Sequence, residues 1–417
     1  DHKFDPFSQK DFYAMSAFFR NTTQGGLDGN VKDGKGPVIY LPTDADRPRW
    51  TALPAEIAKG NEQVASARKL GLPLFDQWLA TAKPADLDAD IPSKGLIARL
   101  ALNEGSGIPA GTTAAGTPVT WKKDGKSGPA PNFKKGSHLV VGEAGDFSTK
   151  QAFSASAWAR PDKLEGSGTI VGRMDDPKGA QGWTLFHTAK NYGVYIISKW
   201  PDDAIKVVTT KNPARATWQH VTMTYDGSGK ASGVKIYVDG VLAETRGEVD
   251  KLKTDTKAAT PTRIGQRSQS EPFHGDIQDV FLYARALAPT EVTTLSKLAP
   301  LRQMLAGKPG PKQKEALLEY YLNNRHTPSK VATALVTKLT AEQTMIRGRS
   351  PMTHVQEEKM DSPAMANILI RGAYENKGES VAAEIPSALG KLPAGSPRNR
   401  LGLAKWIISD ANPLTTR

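Results

Sequence analysis

The stretch "GWTLFHTAKNYGVYIISKW", residues 182–200, gathers the side chains best suited to holding a sugar. Sugars present C–H faces that stack on aromatic rings and hydroxyls that need planar polar partners. Trp183, Tyr192, Tyr195 and Trp200 supply the rings, with Lys190, Asn191 and Lys199 beside them. Such a mixture could line a sheet as a glycan platform; each ring could equally sit in a core, where aromatic residues are usually found. Trp200, ahead of Pro201 and a polar loop, is the least core-like of the four.

Bond-breaking chemistry is harder to find. A glycosidase needs an acid and a second carboxylate on either side of the scissile bond, roughly 5–10 Å apart. "EVDKLK" brings Glu248 and Asp250 together, and they read as solvated loop charges. There is no H-E-x-x-H, no G-x-S-x-G elbow and no phosphate-cradling Gly/Lys loop. The seven histidines, His2, His138, His187, His220, His274, His326 and His354, are dispersed, and His220 reads as a packing or backbone-bonding residue at a strand start. A noncatalytic reading therefore leads. An enzyme whose groups converge from distant positions stays as the alternative.

Composition narrows the classes further. A chain of 417 residues, 38% of them hydrophobic, is long enough for two or three domains with real cores. Cysteine is absent, which excludes a disulfide framework, a Cys-ligated zinc and a thiol nucleophile. The net charge of +12 is spread through pairs such as Lys122-Lys123 and Lys134-Lys135 among acids, as on a solvated surface. For an anionic partner, an acidic polysaccharide fits at least as well as nucleic acid, since no helix, finger or aromatic motif of a nucleic-acid reader is present. No run of about 18 apolar residues predicts a membrane span. The first residues lack signal-peptide features, so an exported protein would carry its leader upstream.

Periodicity places these residues. "SQKDFYAMSAFF" predicts a helix capped by Ser8, with Asp11 closing a capping box and Phe12, Met15 and Phe19 on one face. Helical spacing returns over 53–81 through Ile57, Val64, Leu70 and Leu79, with Pro73 expected to interrupt it. From about Gly95 the period becomes two. "FSASAWARP", "HVTMTYDG" and "VKIYVDG" alternate, and Asp226-Gly227 and Asp239-Gly240 mark turns. Near Leu287 helices resume in "EVTTLSKLAPLRQML", "KEALLEYYLNNRH" and "SKVATALVTKLTAEQTMI"; the last is expected to be capped by Ser329 and striped by Val331, Leu335 and Leu339. "RNRLGLAKWII" predicts a final helix. The order implies a β domain inserted in a helical framework, which is tolerated where a domain's first and last strands end close together.

The middle segment, about 95–297, resembles the laminin G-like, concanavalin A-like jelly rolls. "GLIARLALNEGSG", "FSASAWARP", "GTIVGR", "GWTLF", "WQHVTMTYDG", "VKIYVDGVLAET", "PTRIGQR" and "FHGDIQDVFLYARALAPTEVTTL" follow one another in family order. The implied fold is an antiparallel β-sandwich with α-helical flanks. Trp158 and Trp218 serve as large apolar bodies, Gly275 marks a bulge or close backbone approach, and Ala288 leaves the closing helix weakly capped. Jelly-roll glucanases carry Glu-x-Asp-x-x-Glu on one strand, and "EVDKLK" lacks the third carboxylate. Related jelly rolls often hold a calcium between the first strand's acidic turn and the last strand's aspartate. The resemblance thus implies calcium at Glu104 and Asp279, whose hard oxygens suit the ion.

The flanks resemble another family. "DHKFDPFSQKDFYAMSAFF" is similar to the tail of the planctomycete cytochrome C type domain; "ANILIRGAYENKGESV", "IPSALGKLP" and "RNRLGLAKWIISDANPLTTR" are similar to the opening of its C-terminal partner domain. The implied organisation is 1–50 cytochrome-domain tail, 51–94 helical, 95–297 jelly roll, 298–347 helical and 348–417 start of the partner domain. In that family C-x-x-C-H precedes Asp-His-Lys-Phe-Asp-Pro, so haem c is expected in a larger exported parent, periplasmic or at the cell surface, and not on this chain. His2 reads as a polar surface histidine. The leading expectation is noncatalytic polysaccharide recognition. A structural or adhesive protein-binding module, and the haem-free middle of an electron-transfer oxidoreductase, are the alternatives.

Overall fold

A computed structural model of the chain describes residues 6–22, 38–162, 166–355, 357–359, 361–410 and 412–415. His2 lies outside them. The chain forms two compact units, one built from both ends, residues 1–66 with 331–417, and one from residues 67–330.

The middle unit is the sandwich. Its strands are β2 (Leu96–Leu100), β3 (Thr113–Gly116), β4 (Thr120–Lys122), β5 (Ala130–Phe133), β6 (Ser137–Gly142), β7 (Phe153–Pro161), β8 (Ser167–Asp175), β9 (Gln181–Thr188), β10 (Tyr192–Lys199), β11 (Asp203–Thr209), β12 (Gln219–Tyr225), β13 (Val234–Val238), β14 (Val241–Leu242), β15 (Thr245–Asp250), β16 (Thr262–Ile264) and β17 (Gly275–Tyr283). One sheet runs β15-β11-β10-β9-β8-β16-β6-β3 and the other β14-β13-β12-β7-β17-β5-β4, with β2 also on β17. Every pairing in both sheets is antiparallel. The first and last strands lie side by side, Leu100 opposite Val280.

Alternation explains the core. On β12, Val221, Met223 and Tyr225 point between the sheets and join Ala155, Ala157, Trp183, Leu185, Val194 and Ile205. His220, Thr222 and Thr224 point the other way and are nonetheless buried. Helices cover that second face. Tyr237, Phe281 and Tyr283 pack against Val292, Leu295 and Leu298 of α3 (Pro289–Ala306) and Leu317, Leu318 and Tyr321 of α4 (Pro311–Asn324). Each such aliphatic side chain, fully buried, contributes about 1.5–3 kcal/mol. Gly275, at φ 138°, allows the close approach its sequence context predicts, because a Cβ there would fall 2.1 Å from the Arg160 carbonyl oxygen. Ala288 caps α3 without a side-chain acceptor; Glu291 receives its N–H at 2.8 Å instead.

The other unit holds α1 (Gln9–Ala17) against the hairpin β19 (Met365–Leu369) and β20 (Lys377–Ala382), with α6 (Arg400–Ile407) closing the cluster. β1 (Val38–Tyr40) pairs with β18 (Met352–His354). The Ser8–Asp11 capping box forms. The apolar face of α1 is offset from the expected one: Tyr13, Ala14, Ala17 and Phe18 are buried while Phe12 and Phe19 are exposed. Two longer helices, α2 (Arg47–Thr81) and α5 (Thr327–Arg349), also depart from expectation. Pro73 does not interrupt α2. A proline inside a helix costs about 3 kcal/mol, and the turns beyond it offset this by packing Phe75 and Trp78 on Tyr321 at 5.8 and 5.4 Å. Ser329 lies inside α5, its hydroxyl 2.8 Å from His326 Nδ1, so it is not a cap. Of the expected α5 stripe, Leu339 is buried and Val331 and Leu335 are exposed. The expected boundaries at 50, 297 and 347 fall inside α2, α3 and α5.

Candidate functional site

Strand parity sorts the four aromatic candidates. On β10, Tyr192, Val194 and Ile196 face the core, so Gly193, Tyr195 and Ile197 face outward. Trp183 and Tyr192 are each 1% exposed. The Trp183 indole N–H donates to the Gly145 carbonyl at 2.7 Å and the Tyr192 hydroxyl to Gln219 Oε1 at 3.1 Å. Both rings therefore pack in the core. The other two come together on the outer face.

Tyr195 is the centre of that group. Phe186 stacks on it at 4.6 Å and 16°, and Trp200 meets it edge-on at 5.1 Å. The Arg267 guanidinium lies 5.1 Å from its ring centroid and Lys206 Nζ 5.3 Å, both within cation–π range. Gly193, opposite Phe186 across β9 and β10, makes the stack feasible: a Cβ there would sit 2.3 Å from the Phe186 ring. Met174, Ile197 and Ala204, with Ala180 and Val249, form the apolar floor. Trp200 remains 39% exposed and offers the accessible ring.

The polar groups are held by the segment 266–271. Asp176 fastens it, accepting from the Gln269 and Ser270 N–H groups at 2.8 and 3.1 Å and from the Ser268 and Ser270 hydroxyls at 3.0 and 2.8 Å. Thr169 N–H donates to the Glu271 carbonyl at 2.9 Å, tying the segment to β8. Arg267, 10% exposed, then lies over Tyr195. Its Nη1 is 3.9 Å from Asp176 and 3.8 Å from Glu271, too far for a hydrogen bond. Arg267 Nε and Nη2, Glu271 Oε2, Thr169 Oγ1 and Arg263 Nε are all buried without a partner. Each such orphan costs about 1–3 kcal/mol, which makes this cluster the costliest part of the face and the part a ligand or water would relieve.

Lys206 pairs with Glu248 at 2.8 Å, as does Arg246 at 2.8 Å. Burial works against the Lys206 ammonium, but Glu248 and the Tyr195 hydroxyl outweigh it and raise its pKa. Hydrogen bonds from Lys206 and then Arg246 hold the Glu248 carboxyl below its usual range. Glu248 and Asp250 are therefore not loop charges: both lie on β15, and Asp250 accepts the Ala231 N–H at 2.8 Å. Of this site, the aromatic pair Tyr195 and Trp200 was readable by residue type. Lys206, Arg267 and Glu271 were not, although "PTRIGQR" marked the segment that carries Arg267.

Glu104 and Asp279 do not fit a calcium ion. Asp279 is buried on β17 with its Oδ2 3.1 Å from Arg302 Nη1, so a guanidinium occupies the cation position. Arg302 also donates to Asp88 at 2.8 Å, and Asp88 accepts from Arg99 at 2.7 Å. Glu104 is exposed and accepts the Ala110 N–H at 3.0 Å. Among the described residues no three His, Asp or Glu side chains are grouped to hold a metal. Ser156 Oγ and His220 Nε2 lie 2.8 Å apart, a spacing that suits a nucleophile and base, yet both are fully buried beneath the helical layer. Burial alone drives the His220 pKa down to about 3.

Residues 133–293 match the family model of the concanavalin A-like lectin/glucanases superfamily, laminin G type, and this segment is a concanavalin A-like jelly-roll domain. Among solved structures, domain 4 of AbnA, a GH43 extracellular arabinanase from Geobacillus stearothermophilus bound to arabinotriose, is 19% identical with a TM-score of 0.35, covering 48% of this chain and 98% of that one. The Ruminococcus gnavus IT-sialidase CBM40 bound to α2,3-sialyllactose is 15% identical with a TM-score of 0.30, covering 35% and 82%. The binding domain of Paraclostridial Mosquitocidal Protein 1 is 19% identical with a TM-score of 0.39, covering 48% and 52%. A Mycobacterium sp. (strain KMS) protein provisionally named as an S-adenosyl-L-methionine-dependent methyltransferase is 28% identical over 167 residues, 34% of this chain. The match spans 55% of that relative's length.

Proposed function

We propose that the sandwich binds a polysaccharide without cleaving it, through the outward face of β10 around Tyr195 and Trp200. The observation that carries this reading is the perpendicular ring pair at 5.1 Å, with one ring left accessible and donors and acceptors already converging on the other. An apolar surface with a few placed polar groups is the usual make-up of a small-ligand site. Glu271 is the carboxylate beside the rings with an unpartnered oxygen; Glu248 is ion-paired and Asp176 is committed to the loop, which leaves no matching second acid among them to activate water.

The test is titration of the full chain with soluble polysaccharides at low salt. Trp200→Ala and Tyr195→Ala should each weaken binding by roughly tenfold or more, while Trp183→Phe, a core change, should leave it intact. Failure to bind any polysaccharide, or wild-type affinity in Trp200→Ala, rejects the platform.

Methyl transfer, suggested by the name of the mycobacterial relative, is not adopted. The described strand pairings are antiparallel throughout, whereas cofactor cradles of the doubly wound type need parallel strands and a glycine-rich turn. We also propose that the module belongs to a larger exported c-type cytochrome-like protein, periplasmic or at the cell surface. The wording of both flanks supports this. With no cysteine in the chain, thioether attachment of haem would fall to residues of the parent. A c-type haem spectrum of the intact parent is the check.

A further inference from the structure

We infer that the ligand of the Tyr195 face is a neutral sugar, gripped through adjacent hydroxyls, rather than an acidic one gripped through a carboxylate or sulfate. The inference rests on the platform reading above and narrows it.

Charge balance comes first. The chain is basic, but this face is not. Arg267 has Asp176 and Glu271 beside it, Lys206 has Glu248, and Arg263 is flanked by Asp175 and Asp176. An incoming anion meets cations that are already compensated, together with carboxylates that repel it. The long-range attraction expected of the net charge is therefore missing where it would be needed.

The orphaned groups decide the chemistry. Arg267 turns Nη1 toward the two carboxylates and leaves Nε and Nη2, the two N–H groups along one edge of the guanidinium, without partners. That fork alone would accept either a carboxylate or two neighbouring hydroxyls. Glu271 breaks the tie. Its Oε2 is a buried acceptor lacking a donor, and its carboxylate stands 3.8 Å from Arg267, too far for direct bonding. A group filling this cluster must accept from arginine and donate to glutamate. A hydroxyl does both, and a carboxylate or sulfate only the first. A pair of neighbouring hydroxyls entering beside the Tyr195 ring would answer Arg267 and Glu271 together.

The test titrates the wild-type chain with arabinan, mannan and β-glucan as neutral polymers and with polygalacturonate and chondroitin sulfate as acidic ones, at low salt and at roughly 0.5 M NaCl. Expected is binding to at least one neutral polymer, unchanged by salt, with Glu271→Gln weaker by roughly tenfold. Binding confined to the acidic polymers, lost with salt and stronger in Glu271→Gln, overturns the inference. If Trp200→Ala abolishes that acid-only binding, the platform stands and only the sugar class is wrong. No binding to any polymer removes the platform and the inference together. The polymer comparison uses the wild-type protein, so it holds even if Glu271→Gln fails to fold.

Discussion

Arg302→Met removes the guanidinium that meets Asp279 and should be among the most damaging single changes in the sandwich. Asp279 is 2% exposed and Arg302 12%, with 3.1 Å between them. Deleting one partner of such a pair leaves an uncompensated buried charge, at about 3–5 kcal/mol. The effect should depend on pH in a definite sense. Burial pushes the Asp279 carboxyl up in spite of Arg302 and Arg99. A carboxyl whose folded pKa exceeds its unfolded value, near 4, favours folding below that value and loses the contribution as pH rises through the folded pKa. In the methionine variant the folded pKa rises further, so the deficit against wild type should be full at pH 7 and should shrink toward pH 4. Adding Asp279→Asn should return stability to within about 1 kcal/mol of wild type. Asparagine tolerates the φ of 55° found there and carries no charge to strand. Urea unfolding followed by the fluorescence of the buried Trp158 and Trp183 reports the change, and by melting it should amount to roughly 10 °C. The wild-type transition should be the same with chelator and with added calcium. A methionine variant within about 1 kcal/mol of wild type at pH 7, a deficit equal at both pH values, or a calcium-stabilised wild type would refute the reasoning.

Two further changes test the face and the core separately. Gly193→Ala places a methyl group against the Phe186 ring and should cost about 1–3 kcal/mol while weakening polysaccharide binding, measured by urea unfolding and titration of one preparation. Acid should also destabilise the sandwich through two buried histidines. Burial lowers the pKa of His187 to about 4 and of His220 to about 3, from 6.5, so their contributions are intact above 6.5 and are lost as pH falls through that window. At pH 4.5 each accounts for up to about 3 kcal/mol relative to pH 7, and His220→Gln should flatten the measured stability–pH slope between about pH 4 and 5.5 by close to one proton; an unchanged slope contradicts the assignment.

The sandwich was legible because its strands alternate and its turns carry Asp-Gly pairs; Val221, Met223 and Tyr225 fall inward as the pattern dictates. The aromatic site was only half legible. In "YGVYIIS" alternation separates Tyr192 from Tyr195, but Ile196 and Ile197 are both buried, one between the sheets and the other on the outer floor, so the apolar run conceals which parity faces out. Arg267 and Glu271 were hidden for another reason. They reach Tyr195 through a segment whose shape depends on Asp176, some 90 residues earlier in the chain, and no local pattern encodes such a tether. The Arg302 contact of Asp279, which bears on the calcium expectation, was hidden by a similar long-range relation, since Arg302 comes from a helix outside the strands that define the resemblance.

That same helix helps explain why the proposed ligand face lies where it does. Both sheets have outer faces, and the one formed by β7, β12 and β17 carries Ser156, His220 and Thr222, which taken alone would suit a polar site. The α3 and α4 layer packs against Tyr237, Phe281 and Tyr283 on this face, so its polar groups bond one another, Ser156 to His220 at 2.8 Å and Thr222 to Ser156 at 3.1 Å. Trp158 Nε1, His220 Nδ1 and the Tyr283 hydroxyl stay unpartnered there, but every ring beside them is covered: Trp158, Tyr237, Phe281 and Tyr283 are all buried. Around Tyr195 the unmatched donors and acceptors of Arg267 and Glu271 stand in the same group as exposed ring area at Trp200. Unspent hydrogen-bonding capacity beside an accessible ring distinguishes a recognition surface from a packed one, and within this sandwich the two conditions coincide at the Tyr195 face.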